Sequence, residues 1–140
     1  MSDRYFLDTN IFVYSFDKGS GQKAAKARKL IREALSSQKG VTGYQVVQEF
    51  LNVALRRFAR PMTAADAEQY LSTVFRPLLT VHSSLALYSE ALRIQNHRGL
   101  SWYDSLIVGA AMQAKCDVLY TEDLQHGQAF GSVRIVNPFL

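Results

Sequence analysis

The sequence predicts an α/β fold with a mainly parallel sheet, and three observations predict it. Short apolar runs (YFL, LLTV, VLYT, RIV) alternate along the chain with longer stretches of helical period, the pattern of strand-helix-strand units. Two of those runs, YFL and VLY, break into threonine plus carboxylate, as Asp8-Thr9 and Thr121-Glu122-Asp123. One helical stretch, WYDSLIVGAAMQAK, is apolar nearly all round, which suits a helix buried on most sides.

Tyr5, Phe6 and Leu7 form the first expected strand, and Asp8, Thr9 and Asn10 after them favour turns and caps, so Asp8 is placed at a strand end. Ala24, Ala27, Leu30, Ile31, Ala34 and Leu35 keep a 3.6-residue period, giving a helix from Gly21 to Ser37 that Gly40 ends. Val41 to Gly43 reads as a very short strand, and Gln45 to Phe58 as a second helix. Thr63 and Asp66 have capping-box spacing and open a third. Pro77 precedes an expected strand at Leu78 to Val81, and Ser83 or Ser84 caps a fourth helix closed by Gly99. Ser101 opens the apolar fifth helix, where Gly109, Ala110 and Ala111 would allow close packing on a sheet. Val118 to Thr121 is the next strand, Glu122 to Gly131 a polar loop or short helix, and Arg134 to Val136 the last strand.

At 140 residues, 48% hydrophobic and 20% charged, residues 1–140 are expected to form one globular domain. No apolar run reaches the roughly 18 residues of a membrane span, and Met1 to Arg4 do not resemble a secretory leader, so a cytoplasmic location is expected. The single cysteine, Cys116, excludes an internal disulfide and a cysteine-based metal site. His82, His97 and His126 lack ligand spacing, which argues against zinc; His126 could still touch a substrate.

The net charge of +4 is unevenly spread: Lys18, Lys23, Lys26, Arg28, Lys29 and Arg32 form an acid-free block, and Arg56, Arg57 and Arg60 a second group. Such blocks suit a polyanion, or an acidic protein partner, and also serve simply as solvated helix faces.

The acids carry more information. Glu49 falls at the border of an apolar helix arc, flanked by Val46 and Val53, where it would overlook a cleft. Asp104 sits in the first turn of the apolar helix. Its spacing from Ser101 equals that of Asp66 from Thr63, so spacing alone cannot separate a site residue from a capping one. Glu122 and Asp123 end the VLYT strand at the edge where Asp8 ends YFL. Carboxylates gathered at one sheet edge repel unless a cation is present, and all-oxygen ligation selects Mg²⁺ or Mn²⁺. Such an ion, with the basic blocks, makes a nucleic-acid phosphodiester the natural substrate.

FLDTN, VVQEF, WYDSLIVGAA and LYTEDLQHG, in this order and spacing, resemble the PIN-domain ribonucleases, in particular VapC-type toxins of bacterial toxin-antitoxin pairs, over essentially the whole chain. The resemblance implies a three-layer α/β/α domain with a five-stranded parallel sheet and an acidic Mg²⁺ or Mn²⁺ pocket made by Asp8, Glu49, Asp104 and Asp123, with Asn10 and Thr121 as supporting polar residues. It further implies metal-dependent RNA hydrolysis, a homodimer and inhibition by a cognate antitoxin. The chain departs at Gly43 and Tyr44, where similar proteins carry small hydroxyl residues. Glu122 beside Asp123 leaves the fourth acid open, although the family's Thr-x-Asp pattern favours Asp123.

Two other functions fit less well. Phosphoryl transfer to Asp8, as in receivers or aspartate-nucleophile phosphatases, needs a late lysine or an Asp-x-Asp, and LYTEDLQHG holds no lysine while Asn10 occupies the second place. A catalytically silent domain that binds RNA or protein gains nothing from keeping four clustered acids.

Overall fold

A computed structural model describes residues 2–140. Its sheet has the strand order β3-β2-β1-β4-β6-β5, with β1 (Tyr5–Leu7), β2 (Gly40–Gly43), β3 (Leu79–Val81), β4 (Val118–Tyr120) and β6 (Val133–Val136) parallel. The two-residue β5 (Ala129–Phe130) joins β6 antiparallel. It lies in the stretch expected to be loop or short helix and makes the sheet six-stranded rather than five. Phe130 is buried there, so one apolar ring fixes a strand too short to show a period.

The helices follow from the connections. From β1 the chain runs through α1 (Thr9–Tyr14) and α2 (Gln22–Ser37) to β2, then through α3 (Tyr44–Arg56), α4 (Ala64–Tyr70) and the single-turn α5 (Arg76–Leu78) to β3. From β3 it returns through α6 (Leu85–Arg98) and α7 (Trp102–Gln113) to β4, on the other side of β1. Right-handed crossovers in opposite directions put α1–α5 on one face and α6–α7 on the other, giving three layers. The direction reverses between β1 and β4, and in parallel sheets the crevice at such a reversal is where ligands bind.

Local chemistry sets most boundaries. The backbone amide of Asp8 still donates across the ladder to Tyr120 O at 3.1 Å, while its side chain caps α1 by accepting from Thr9 N. Ser84 caps α6, and Gly99, at φ 70°, ends it in the left-handed region glycine favours. Gly40 belongs to β2 rather than ending α2, which stops at Ser37 and is capped by Gln38. A Cβ at Gly40 would lie 2.2 Å from Ala34 Cβ and 2.8 Å from Ala34 Cα, so only glycine lets α2 lie this close to the sheet. α4 runs on through a π-turn at Leu71–Phe75, and Pro77 lies inside α5, so β3 begins at Leu79. Gly109 faces α6, with Leu87 Cδ1 3.4 Å from where its Cβ would be, so the small residues of α7 admit a helix as well as the sheet. The core joins Phe6, Leu7, Phe12, Phe50, Phe75, Leu119 and Ile135, each at most 1% exposed.

Candidate acidic active site

Two strand ends build the floor. β1 delivers Asp8, buried at 7% exposure, and β4 delivers Thr121, fully buried. Asp8 Oδ1 accepts from Thr9 N at 2.7 Å and Oδ2 from the Thr121 hydroxyl at 2.8 Å, which fixes the carboxylate in one orientation. Thr121 Oγ1 in turn accepts from Asp123 N at 3.1 Å and from Asn10 Nδ2 at 3.3 Å, and Asn10 Nδ2 also donates to Asp123 Oδ2 at 3.2 Å. Asn10 and Thr121 thus tie Asp123 to Asp8 across the β1-β4 crevice.

Glu49 reaches the same place from the second turn of α3. Its Oε1 accepts the Thr9 hydroxyl at 3.2 Å, and the Gln45 side chain lies near enough to favour its charged form. Gln45 is buried and donates to the carbonyl of Tyr103, the residue before Asp104. Thr9 and Gln45 are therefore further candidate residues of the site that the pattern of acids alone does not reveal. Gln45 had a signal, since it lies four residues before Glu49 and shares its helix face. Gly43 and Tyr44 carry no small hydroxyl, and the side-chain hydrogen bond to Glu49 comes from Thr9.

Asp104 and Asp66, indistinguishable by spacing, differ in space. Thr63 and Asp66 form a full capping box, with Asp66 Oδ2 accepting from Thr63 N at 3.2 Å. At α7 only half exists: Ser101 Oγ accepts from Asp104 N at 3.1 Å, and the Asp104 carboxylate makes no hydrogen bond or ion pair among the described residues. Glu122 and Asp123 also part company. Glu122 accepts from the Tyr14 hydroxyl at 2.5 Å and from Lys23 Nζ at 3.2 Å, so it is neutralised by α2 while Asp123 turns to Asn10.

The electrostatics bring the four acids together. Burial, helped by the charges of Asp123 and Glu49 and opposed by its two hydrogen bonds, pushes the Asp8 carboxyl up to about 6. Glu49 is raised first by burial, then by Asp123 and Asp104; Asp123 first by burial, then by Glu122 and Asp104. Each acid thus lies in the field of others from distant parts of the chain. Among the described residues no lysine, arginine or histidine forms a salt bridge with any of the four.

A divalent cation fits this donor set on chemical grounds. All donors are oxygens, the charge is uncompensated, and Asn10 Oδ1 is buried with no hydrogen-bond partner among the described residues. Among the described residues no three His, Cys, Asp or Glu side chains are drawn together tightly enough to cage an ion. The arrangement suits a hard ion that keeps several waters and takes one or two carboxylates directly, the habit of Mg²⁺.

The basic residues lie elsewhere. Lys23 is held by Glu122, and an Arg28 guanidinium nitrogen donates to Ser15 O at 3.0 Å. Two open hollows, about 510 and 260 Å³, share Phe16 and Tyr70 as walls and take Arg60 and Arg28 with Arg32 respectively; none of the four acids lines either. His126 Nδ1 accepts from Asn137 N at 3.0 Å, a loop-fastening role. No described helix is long and apolar enough to cross a membrane.

The family model for the PIN domain matches residues 5–129. No curated protein matches the chain. Among solved structures, a toxin-antitoxin complex from Klebsiella pneumoniae is similar at 16% identity and TM-score 0.67, over 96% of this chain and 98% of that one. VapC20 of Mycobacterium tuberculosis, described as a sarcin-ricin loop cleaving toxin, is similar at 20% identity and TM-score 0.60, over 85% and 91%. VapBC2 from Rickettsia felis, bound to a DNA fragment from its promoter, is similar at 17% identity and TM-score 0.59, over 94% and 96%. At these identities the likeness establishes a shared fold.

Proposed function

The chain belongs to the PIN domain family, and on that premise we propose that residues 1–140 form one metal-dependent endoribonuclease domain, the toxin of a toxin-antitoxin pair. The observation that carries this is the convergence of Asp8, Glu49, Asp104 and Asp123 at the β1-β4 crevice with no cationic side chain paired to them among the described residues. Clustered charge of this kind is costly in a fold and useful in a metal site.

Asp8, locked by Thr9 and Thr121, and Asp104, with its carboxylate unengaged among the described residues, would hold Mg²⁺ or Mn²⁺, with Asp123 and Glu49 completing the pocket. When bound, such an ion supplies an activated water and stabilises the charge of in-line attack on phosphorus. Thr121 and Asn10 keep Asp8 and Asp123 at fixed separation. Glu49, oriented by Thr9 and binding protons more tightly than an ordinary glutamate, is suited to take the proton that the attacking water loses. Exposed basic side chains of α2 and at the end of α3 would hold the RNA backbone, making binding salt-dependent.

The neighbours from Klebsiella pneumoniae and Rickettsia felis support a cognate antitoxin as partner, and the name of VapC20 supports an RNA substrate. Leu85 and Leu92, seven positions apart on α6 and 83% and 57% exposed, supply an apolar strip for a homodimer. The setting would be the cytoplasm.

The test is cleavage of total cellular RNA by purified protein with Mn²⁺ or Mg²⁺ and then with chelator, using Asp8→Asn as the control for a contaminating nuclease. Discrete products that need the metal and vanish in the variant are expected. Identical patterns from both proteins would replace this function with a catalytically silent module that binds RNA or protein.

A further inference from the structure

Next to the acids lies an aromatic cluster that the chemistry so far leaves unused. Tyr44 opens α3, Tyr88 comes from α6, and Trp102 and Tyr103 open α7. The Tyr88 and Tyr103 phenols lie close enough to Tyr44 to add to the effect of burial in raising its hydroxyl. The Tyr88 and Trp102 rings lie 6.4 Å apart at 42°. Tyr103 stands outermost, 65% exposed, a position where its ring gains little from burial.

This cluster is fastened to the site. Gln45, one helical turn before Glu49 on α3, donates to the Tyr103 carbonyl at 3.3 Å, and Asp104 directly follows Tyr103 in the first turn of α7. A ligand lying on Tyr103 is therefore held at a fixed offset from Glu49 and Asp104. The four members are three phenols and an indole, with no lysine or arginine among them, so the surface is not built for a phosphate. It offers a ring face flanked by hydroxyls, which matches an unpaired nucleobase; paired bases hide both faces in the stack.

We infer that Tyr103, backed by Tyr44, Tyr88 and Trp102, is a stacking subsite for one unpaired base of the RNA whose neighbouring phosphate enters the acid pocket. The inference rests on the ribonuclease function proposed above and adds which side chain holds the base beside the cut.

The experiment uses an oligoribonucleotide spanning a mapped cut, with one abasic position walked along it, and kcat/KM for wild type, Tyr103→Ala and Tyr103→Phe. For wild type, one abasic position should cost about 10-fold to 100-fold, the worth of one stacked base. Tyr103→Ala should lose a similar factor on the intact substrate and then be indifferent to that abasic position, while Tyr103→Phe stays near wild type. The wild-type walk does not depend on how any variant folds, and a flat walk overturns the subsite. So does Tyr103→Ala with unchanged kcat/KM, or one whose only defect in sedimentation is loss of a dimer, which would make the cluster a contact between copies. If wild type cuts no RNA at all, the nuclease function itself fails, and the subsite with it.

Discussion

Asp8→Asn should stabilise the protein when no metal is bound, although it destroys the proposed site. Asp8 has its carboxyl raised from 3.8 to about 6 in the folded state. A raised acid contributes stability that is fully present below its unfolded value and lost as pH rises through the folded one. The charge therefore costs nothing below about pH 4 and its full penalty above about pH 6 to 7. A rise of that size corresponds to about 3 kcal/mol. Asparagine carries no charge but must turn its amide toward Thr121 Oγ1, which already accepts from Asn10 and Asp123, at a cost of about 1 kcal/mol. The net gain at pH 7 is about 2 kcal/mol, roughly 4 to 8 °C in Tm for a chain of this size. Thermal and urea unfolding in chelator, at pH 4 and pH 7, would show it. The variant should be the more stable at pH 7 and lose that advantage at pH 4. Adding Mn²⁺ should raise the midpoint of wild type alone, because an ion that binds only the folded state stabilises it. A variant less stable than wild type at pH 7 in chelator, or a difference that ignores pH, would refute the electrostatic account of the crevice.

Other outcomes follow from the same geometry. Asp66→Ala breaks a full capping box and should cost about 1 kcal/mol in urea unfolding while leaving RNA cleavage intact. Asp104→Ala removes a carboxylate with no bond to lose among the described residues and should abolish cleavage at nearly unchanged stability. Glu122→Gln keeps the shape of the contact with Tyr14 and Lys23 and should retain most activity, whereas Asp123→Asn should lose it in the same assay. Gly40→Ala forces a methyl group against Ala34 and should destabilise by about 1 to 3 kcal/mol in urea unfolding.

Much of this protein was legible in one dimension. The YFL and VLY runs, their termination by Asp8 and Thr121, the Ser101 cap and the all-apolar α7 rest on signals a few residues long, such as alternation, capping oxygens and helical period. Because sequential strand-helix units pack in only a few ways, those signals also implied a parallel sheet with the acids at its carboxyl edge. Where the chain was misjudged, the deciding contact came from far away. β5 exists because Phe130 finds the core and its neighbour pairs with β6. Gly40 belongs to the sheet because Ala34 presses on it, and Gly109 faces α6 rather than only a sheet. The site shows the same division. Sequence brought Asp8, Glu49, Asp104 and Asp123 into view, but Asp104 and Asp66 share one spacing, and Glu122 and Asp123 share one strand end. Only the tertiary structure separates them, by giving Asp66 to Thr63 and Glu122 to Tyr14 and Lys23. A side chain's role depends on which partner reaches it first, and for these residues the partner is set by packing between elements that have no local trace in the sequence.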